Sequence, residues 1–154
     1  MSGTRDLEGK SFVVTGANTG IGRATVEALA ARGASRILVA SRSREKTLPV
    51  LDALRAASPS SEIAFVSLEL GDLAAVRRAA DEVLKMDWTI DALINNAGIA
   101  GVQGLTKDGF ELAFGTNHVG HNLWTETLLP LVVRAPQGRI VVVSSRGHYR
   151  AKGI

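Results

Sequence analysis

The chain has 154 residues, 45% hydrophobic and 21% charged, with a formal net charge of +3. This is the composition of a one-domain globular protein, long enough to bury about two-thirds of the surface its unfolded form exposes. Without cysteine there are no disulfides or thiolate metal sites, which suits a reducing compartment, and the cytoplasm is expected. The polar start MSGTRDLEGKSF has no apolar signal core, and no stretch approaches the roughly 18 apolar residues of a membrane helix, so no membrane anchor is expected. Arginines lie scattered among acids instead of clustered on one face, which argues against a nucleic-acid partner.

Apolar strands alternate with amphipathic helices along the chain. Phe12 to Thr15 is an apolar run that ends in a glycine-rich turn, and Ile21 to Arg32 reads as a helix stopped by Gly33. A second strand covers Arg36 to Ala40. Ser43 caps the helix that follows, which ends near Ser58-Pro59. Ile63 to Leu68 is a third strand, and Asp72 caps a third helix running to Met86. Asp91 to Ile94 leads a fourth strand into Asn95-Asn96-Ala97-Gly98. Thr106 reads as the cap of a long helix from Lys107 to Val133, which Gly115 and Gly120 weaken by up to about 1 kcal/mol each relative to alanine. Arg139 to Ser144 is the fifth strand. The alternation requires crossover connections and a parallel sheet, and the near-continuous apolar strands read as covered on both faces. The expectation is an α/β, doubly wound parallel sheet in one domain over residues 1–154.

The first strand runs into Gly16-Ala17-Asn18-Thr19-Gly20-Ile21-Gly22 and then a helix. Glycine serves where backbone must take a positive φ or approach a ligand closely. The helix directs its free N–H groups and its positive dipole end at the loop, a site suited to a pyrophosphate. With a strand before it and a helix after it, the loop reads as a dinucleotide-binding turn. The glycine spacing is TGxxxGxG, not G-x-G-x-x-G.

On that spacing the chain resembles the short-chain dehydrogenase/reductase family, and four further features agree. Asn95-Asn96-Ala97-Gly98 resembles the family's NNAG after the fourth strand, and Asn117 within GTNHVGH stands where the family has its helix asparagine. RIVVVSS resembles the fifth strand ending at the family's catalytic Ser145, and DLEGK resembles the usual lead-in. FGTNHVGHNLWTETLLPL and VVSSRGH are most similar to the retinol-dehydrogenase-like branch. The resemblance implies a Rossmann-type NAD(P)-binding domain over residues 1–154, with its first five strands present and its C-terminal strands missing, and cofactor contacts from Gly16, Asn18, Thr19, Gly20, Ile21, Gly22, Asn95, Asn96, Ala97 and Gly98. At the end of the third strand the family commonly has Asp-Leu facing the adenine amino group. Here the pair is Glu69-Leu70, one methylene longer.

The choice of dinucleotide is read at the end of the second strand. An NAD enzyme places an acid there, about 20 residues past the loop, to bind the ribose 2′-hydroxyl. This chain has Ser41-Arg42. A guanidinium grips a 2′-phosphate through two hydrogen bonds where a carboxylate repels it, Ser41 offers a third donor, and Arg44 and Lys46 add positive potential. NADP(H) is therefore expected over NAD(H), although Thr19 lacks the basic residue found there in some NADP-preferring members.

The resemblance implies hydride transfer between NADP(H) and an alcohol, ketone or aldehyde. Ser145 would hydrogen-bond the carbonyl oxygen, a tyrosine with a pKa lowered by a lysine would donate the proton, and Asn117 would position a water linking that lysine to solvent. The family's Tyr-x-x-x-Lys follows the serine by a dozen residues or more. Here only RGHYRAKGI follows, with Tyr149 too close to Ser145 and Lys152 three residues on, so HYRAK reads as a connector before the motif, His148 included. The alternative is a catalytically inactive NADP(H)-binding fragment, and a third reading is an interaction module on a relict fold. His118 and His121, at i and i+3, lack a third ligand, so no metal is expected. The Val-rich fifth strand is expected to present an unpaired edge and to promote self-association.

Overall fold

The computed structural model describes residues 6–145. Five strands form one all-parallel sheet in the order β3-β2-β1-β4-β5: β1 (Ser11–Thr15), β2 (Arg36–Ser41), β3 (Glu62–Ser67), β4 (Ala92–Asn95) and β5 (Arg139–Val142). The helices are α1 (Gly20–Ala31), α2 (Arg44–Ala57), α3 (Leu73–Met86), the short α4 (Leu112–Phe114) and α5 (His121–Val132), with a π-helical stretch, Gly115–Gly120, joining the last two. Strand order reverses at β1. Its register runs from Phe12↔Ile37 on one side to Phe12↔Ala92 on the other. A crevice opens at such a reversal, outside the carboxyl ends of the strands.

The two faces of the sheet are read off alternate residues. Phe12, Val14, Ile37 and Val39 pack against Val26 and Ala30 of α1 and Val50, Leu51 and Leu54 of α2. Val13, Leu38, Ala40 and Val66 pack against Val76, Ala80 and Val83 of α3 and Trp124, Leu128 and Leu131 of α5. Every residue of β1 is buried, which explains its unbroken apolar run. β5 differs. It lies at a sheet edge, and Ile140 and Val142 stand 42% and 66% exposed.

Ser43 and Asp72 cap α2 and α3 as the sequence predicts, accepting Lys46 N–H at 3.3 Å and Ala75 N–H at 3.0 Å. The helix expected from Lys107 to Val133 needs correction. Residues 107–110 form a turn, with Gly109 at φ +85, and an isolated bridge pairs Leu105 with Glu111. The N-cap is Glu111, whose carboxylate accepts Ala113 N–H at 2.9 Å and Phe114 N–H at 2.7 Å, and these bonds hold its pKa below the usual carboxylate range. Thr106 instead closes the turn, its Oγ1 accepting Phe110 N–H at 3.1 Å. The two glycines bound the π-helical stretch because the helix presses against its neighbours there. A Cβ on Gly115 would fall 2.3 Å from the Thr106 methyl, and one on Gly120 2.3 Å from the Leu70 carbonyl oxygen.

Candidate dinucleotide site

The crevice at the carboxyl ends of the strands is a cleft of about 790 Å³. Gly16, Asn18, Thr19, Gly20, Ile21 and Gly22 form one wall, Ser41 and Arg42 the next, then Glu69 and Leu70, then Asn96, Ala97 and Gly98. Thr19 is the N-cap of α1, in extended conformation and without a side-chain bond to the helix. The first N–H groups of α1 therefore keep no capping partner from Thr19 and face the cleft at the positive end of the helix.

Glycine spacing here is a packing requirement. A Cβ on Gly16 would lie 2.8 Å from Ala97 Cα, and one on Gly22 would lie 2.5 Å from the Gly16 carbonyl oxygen and 2.4 Å from Asn96 Nδ2. Asn96 acts by bracing. Its Nδ2 donates to the Thr15 carbonyl at 3.0 Å and to the Gly16 carbonyl at 3.3 Å. Thr15 Oγ1 accepts the main-chain N–H of Asn96 and of Ala97, both at 3.0 Å. The turn after β4 is thus stitched to the turn after β1, and the cleft has a rigid floor before any ligand arrives.

Several predicted residues sit differently from the expectation. Ser41 lines the cleft but is buried, and its Oγ lies 2.6 Å from Thr47 Oγ1. Thr47 donates its one hydroxyl proton to the Ser43 carbonyl at 2.7 Å, so Ser41 must donate to Thr47 and has no proton left for a phosphate. Arg44 turns toward β3, with its guanidinium 5.4 Å from the Phe65 ring centre. Arg42 and Lys46 do converge, lining a recess of about 390 Å³ with Asn18, Ser43 and Glu69. Glu69 turns one carboxylate oxygen onto Gly71 N–H at 3.2 Å. Asn95 is buried beneath the cleft and does not line it: its Nδ2 donates to Thr125 Oγ1 at 2.8 Å, and its Oδ1 has no partner among the described residues.

Asn117 clamps the chain after the NNAG turn. Its Oδ1 accepts Ile99 N–H at 2.9 Å and its Nδ2 donates to the Ile99 carbonyl at 2.8 Å. Each end of the side-chain amide thus holds one main-chain group of Ile99, and the Asn117 main-chain carbonyl bonds His121 Nδ1 at 3.1 Å. Ser145 is exposed just past β5 and outside the cleft lining. Tyr149, Lys152 and His148 lie outside the described residues. No group of three potential ligand side chains that could hold a metal occurs among the described residues. His118 is exposed and packs on the Phe114 ring at 5.2 Å, whereas His121 is buried between Thr15 and the Asn117 carbonyl.

The sequence reading missed the far wall, which includes Ile99, Val102, Leu105, Thr106, Lys107, Leu112 and Thr116. Nothing local marks these residues; the fold of the loop before α4 brings them there. Lys107 is held by Asp72 at 2.7 Å, and this contact keeps the aspartate pKa below its ordinary value.

An all-parallel sheet that reverses at β1, with a glycine turn and a helix N-terminus facing the crevice, defines a Rossmann-type nucleotide-binding fold. The short chain dehydrogenase family profile matches residues 10–152, and the chain belongs to the short-chain dehydrogenase/reductase family. It is 43% identical over 150 residues to dehydrogenase/reductase SDR family member 13 of Bos taurus, covering 97% of this chain and 39% of that protein. It is 40% identical over 144 residues to retinol dehydrogenase 11 of Mus musculus, covering 93% of this chain and 45% of that protein. A metagenomic short-chain oxidoreductase solved in complex with NADP superposes with a TM-score of 0.73 at 29% identity, covering 87% of this chain and 61% of that one. The chain thus spans less than half the length of these two curated relatives. The family comprises oxidoreductases that use nicotinamide dinucleotides on small molecules. No helix of the described residues is long and apolar enough to cross a membrane.

Proposed function

We propose that the chain is the dinucleotide-binding part of an oxidoreductase that prefers NADP(H) to NAD(H) and acts on an alcohol or carbonyl compound. The observation that carries this reading is the recess at the end of β2, where Arg42 and Lys46 converge and the strand-end residues Ser41 and Arg42 replace the acid that would hold a ribose 2′-hydroxyl. The cradle fits the cofactor elsewhere too: backbone replaces side chains at Gly16 and Gly22, and the N-terminus of α1 faces the pyrophosphate position. Arg42 grips the 2′-phosphate, Lys46 adds charge, and Glu69 accepts from the adenine amino group with its free oxygen. When bound, the dinucleotide supplies or takes the hydride. Ser145 hydrogen-bonds the substrate oxygen, and the Asn117 carbonyl holds a water for proton exchange. Similarity to a retinol dehydrogenase supports an apolar alcohol or aldehyde as substrate, and the cysteine-free composition supports the cytoplasm as its location.

The test is calorimetric titration with NADPH and NADH. One charge-assisted hydrogen bond to the phosphate in this exposed recess, at about 1.5 kcal/mol, makes a preference on the order of tenfold. Arg42→Asp reverses or erases it, and equal affinities in the wild type overturn the proposal. A second reading rests on the single tyrosine: the 154 residues contain no Tyr-x-x-x-Lys, so this chain by itself binds the dinucleotide without turning it over. Protein-dependent NADPH oxidation that Tyr149→Phe abolishes would refute that reading.

A further inference from the structure

His121 has no part in the cofactor reading above, yet its ring is 5% exposed and fully bonded at the junction of the two turns that form the cleft floor. Its Nε2 lies 2.9 Å from Thr15 Oγ1, and its Nδ1 lies 3.1 Å from the Asn117 carbonyl oxygen. The protons can be assigned. Thr15 Oγ1 already accepts two main-chain N–H groups, from Asn96 and Ala97, and a hydroxyl has only two acceptor positions and one proton. The Thr15 proton must therefore point at His121 Nε2, which accepts it. The carbonyl of Asn117 can only accept, so Nδ1 carries the imidazole proton. The ring is neutral and in its Nδ1–H form.

We propose that His121 is a positioning residue for the dinucleotide: its neutral ring aims the Thr15 hydroxyl, locking the Asn96–Ala97 turn onto the glycine loop, and protonation of the ring releases that lock. A second proton on Nε2 would face an oxygen whose acceptor positions are both filled, so one of the three bonds must break. Whichever breaks, the Asn96–Ala97 turn loses one of its main-chain ties to Thr15, leaving the Asn96 side-chain bonds to carry more of the brace, or the ring leaves its place. The same ring bonds the Asn117 carbonyl, so the wall of the cleft and the carbonyl that holds a water move together. Burial already pushes the imidazole below its ordinary pKa, so the neutral form dominates at neutral pH.

The groups facing the ring are Thr15 from β1, the Asn96 and Ala97 amides from the turn after β4, and the Asn117 carbonyl from its own helix. Among the described residues no ionisable side chain shifts it. His118, the nearest titratable group in sequence, is exposed against Phe114. The sign follows: dinucleotide affinity is full above the folded-state pKa of His121 and falls as pH drops below it, by up to about tenfold per pH unit for one linked proton.

The role rests on the dinucleotide reading, and the experiment separates the two. The probe is NAD⁺, because it lacks the 2′-phosphate that titrates in the same range, measured between about pH 5 and pH 8. In the wild type we expect the acid fall in affinity. His121→Gln keeps an acceptor for Thr15 and cannot titrate, so its profile is flat and its affinity at the alkaline end stays within a few-fold of wild type. His121→Leu binds weakly throughout. An acid fall in His121→Gln equal to that of the wild type overturns the proposal. Nitrogen NMR of the wild-type imidazole gives a readout independent of folding in the variants. The Nδ1–H form with slow exchange of the Asn96 and Ala97 amides supports the lock, and the Nε2–H form at neutral pH overturns it. A wild type that keeps that form and those protected amides but binds no dinucleotide at any pH overturns the cofactor reading and leaves the lock supported.

Discussion

Replacing Gly22 by alanine tests whether the cleft floor is as tight as the structure has it. The added Cβ would stand 2.4 Å from Asn96 Nδ2, 2.5 Å from the Gly16 carbonyl oxygen and 2.9 Å from Ala17 Cα. Two of these neighbours are backbone and cannot rotate away. Asn96 can retreat only by giving up its bonds to the Thr15 and Gly16 carbonyls, at about 1 kcal/mol each. Overpacking of this kind costs about 1–3 kcal/mol. Against it, alanine is the better helix former by up to about 1 kcal/mol. The net expectation is a loss of about 1–2 kcal/mol, which for a urea slope of about 2 kcal/mol/M lowers the midpoint by roughly 0.5–1 M. Because the displaced atoms line the cleft, NADPH affinity is expected to fall roughly 5- to 30-fold if the same 1–2 kcal/mol is lost from binding. Gly71→Ala is the control. Its Cβ meets nothing closer than 3.5 Å, so its midpoint stays level or rises slightly. Unchanged midpoint and affinity in Gly22→Ala would refute the claim that Gly16, Gly22 and Asn96 are in obligatory contact.

Two further expectations follow from surface features. The Asp72 carboxylate has its pKa depressed first by the Lys107 bond and then by the Ala75 N–H, so its stabilisation is complete above the ordinary aspartate range and is lost as pH falls through the lowered value. Asp72→Asn keeps a cap acceptor but loses the ion pair, so the gap in urea midpoint between the two proteins should close in acid; a gap independent of pH would sink the idea. At the other end of the sheet, the exposed apolar side chains of edge strand β5 are expected to favour association of chains. Val142→Lys should shift sedimentation toward monomer over a concentration series, and a wild type that stays monomeric at high concentration would show the edge to be protected.

What could be read in advance depended on whether the signal was local. The apolar runs of β1 and β2, the Ser43 and Asp72 caps and the glycine turn each carry their cause within a few residues, and each lies where the sequence puts it. Glu111 is hidden as a cap because Thr106 is the better cap residue by type, and only the Asp108-Gly109 turn decides against it. The π-helical stretch was hidden because Gly115 and Gly120 read as weak points of a helix. Their reason is contact with Thr106 and Leu70, distant in sequence. Ser41 could not be assigned without Thr47, because whether a hydroxyl proton is free depends on its neighbour's partner. His121 was seen as half of a weak metal pair, since its tie to Thr15 spans 106 positions of sequence.

The brace between the turns also sets an order of events during synthesis. Strands β1 to β3 and their helices are complete once Ser67 has left the ribosome, with β1 paired only to β2. Asn96 emerges about 30 residues later, which at about 5–20 residues per second means roughly 2–6 s. Through that interval the glycine turn exists, but the residue that pins it does not, and the buried flank of β1 that β4 will cover stands open. The first half of the domain is thus born with its glycine turn unbraced, and the floor of the cleft is complete only after β4 has docked.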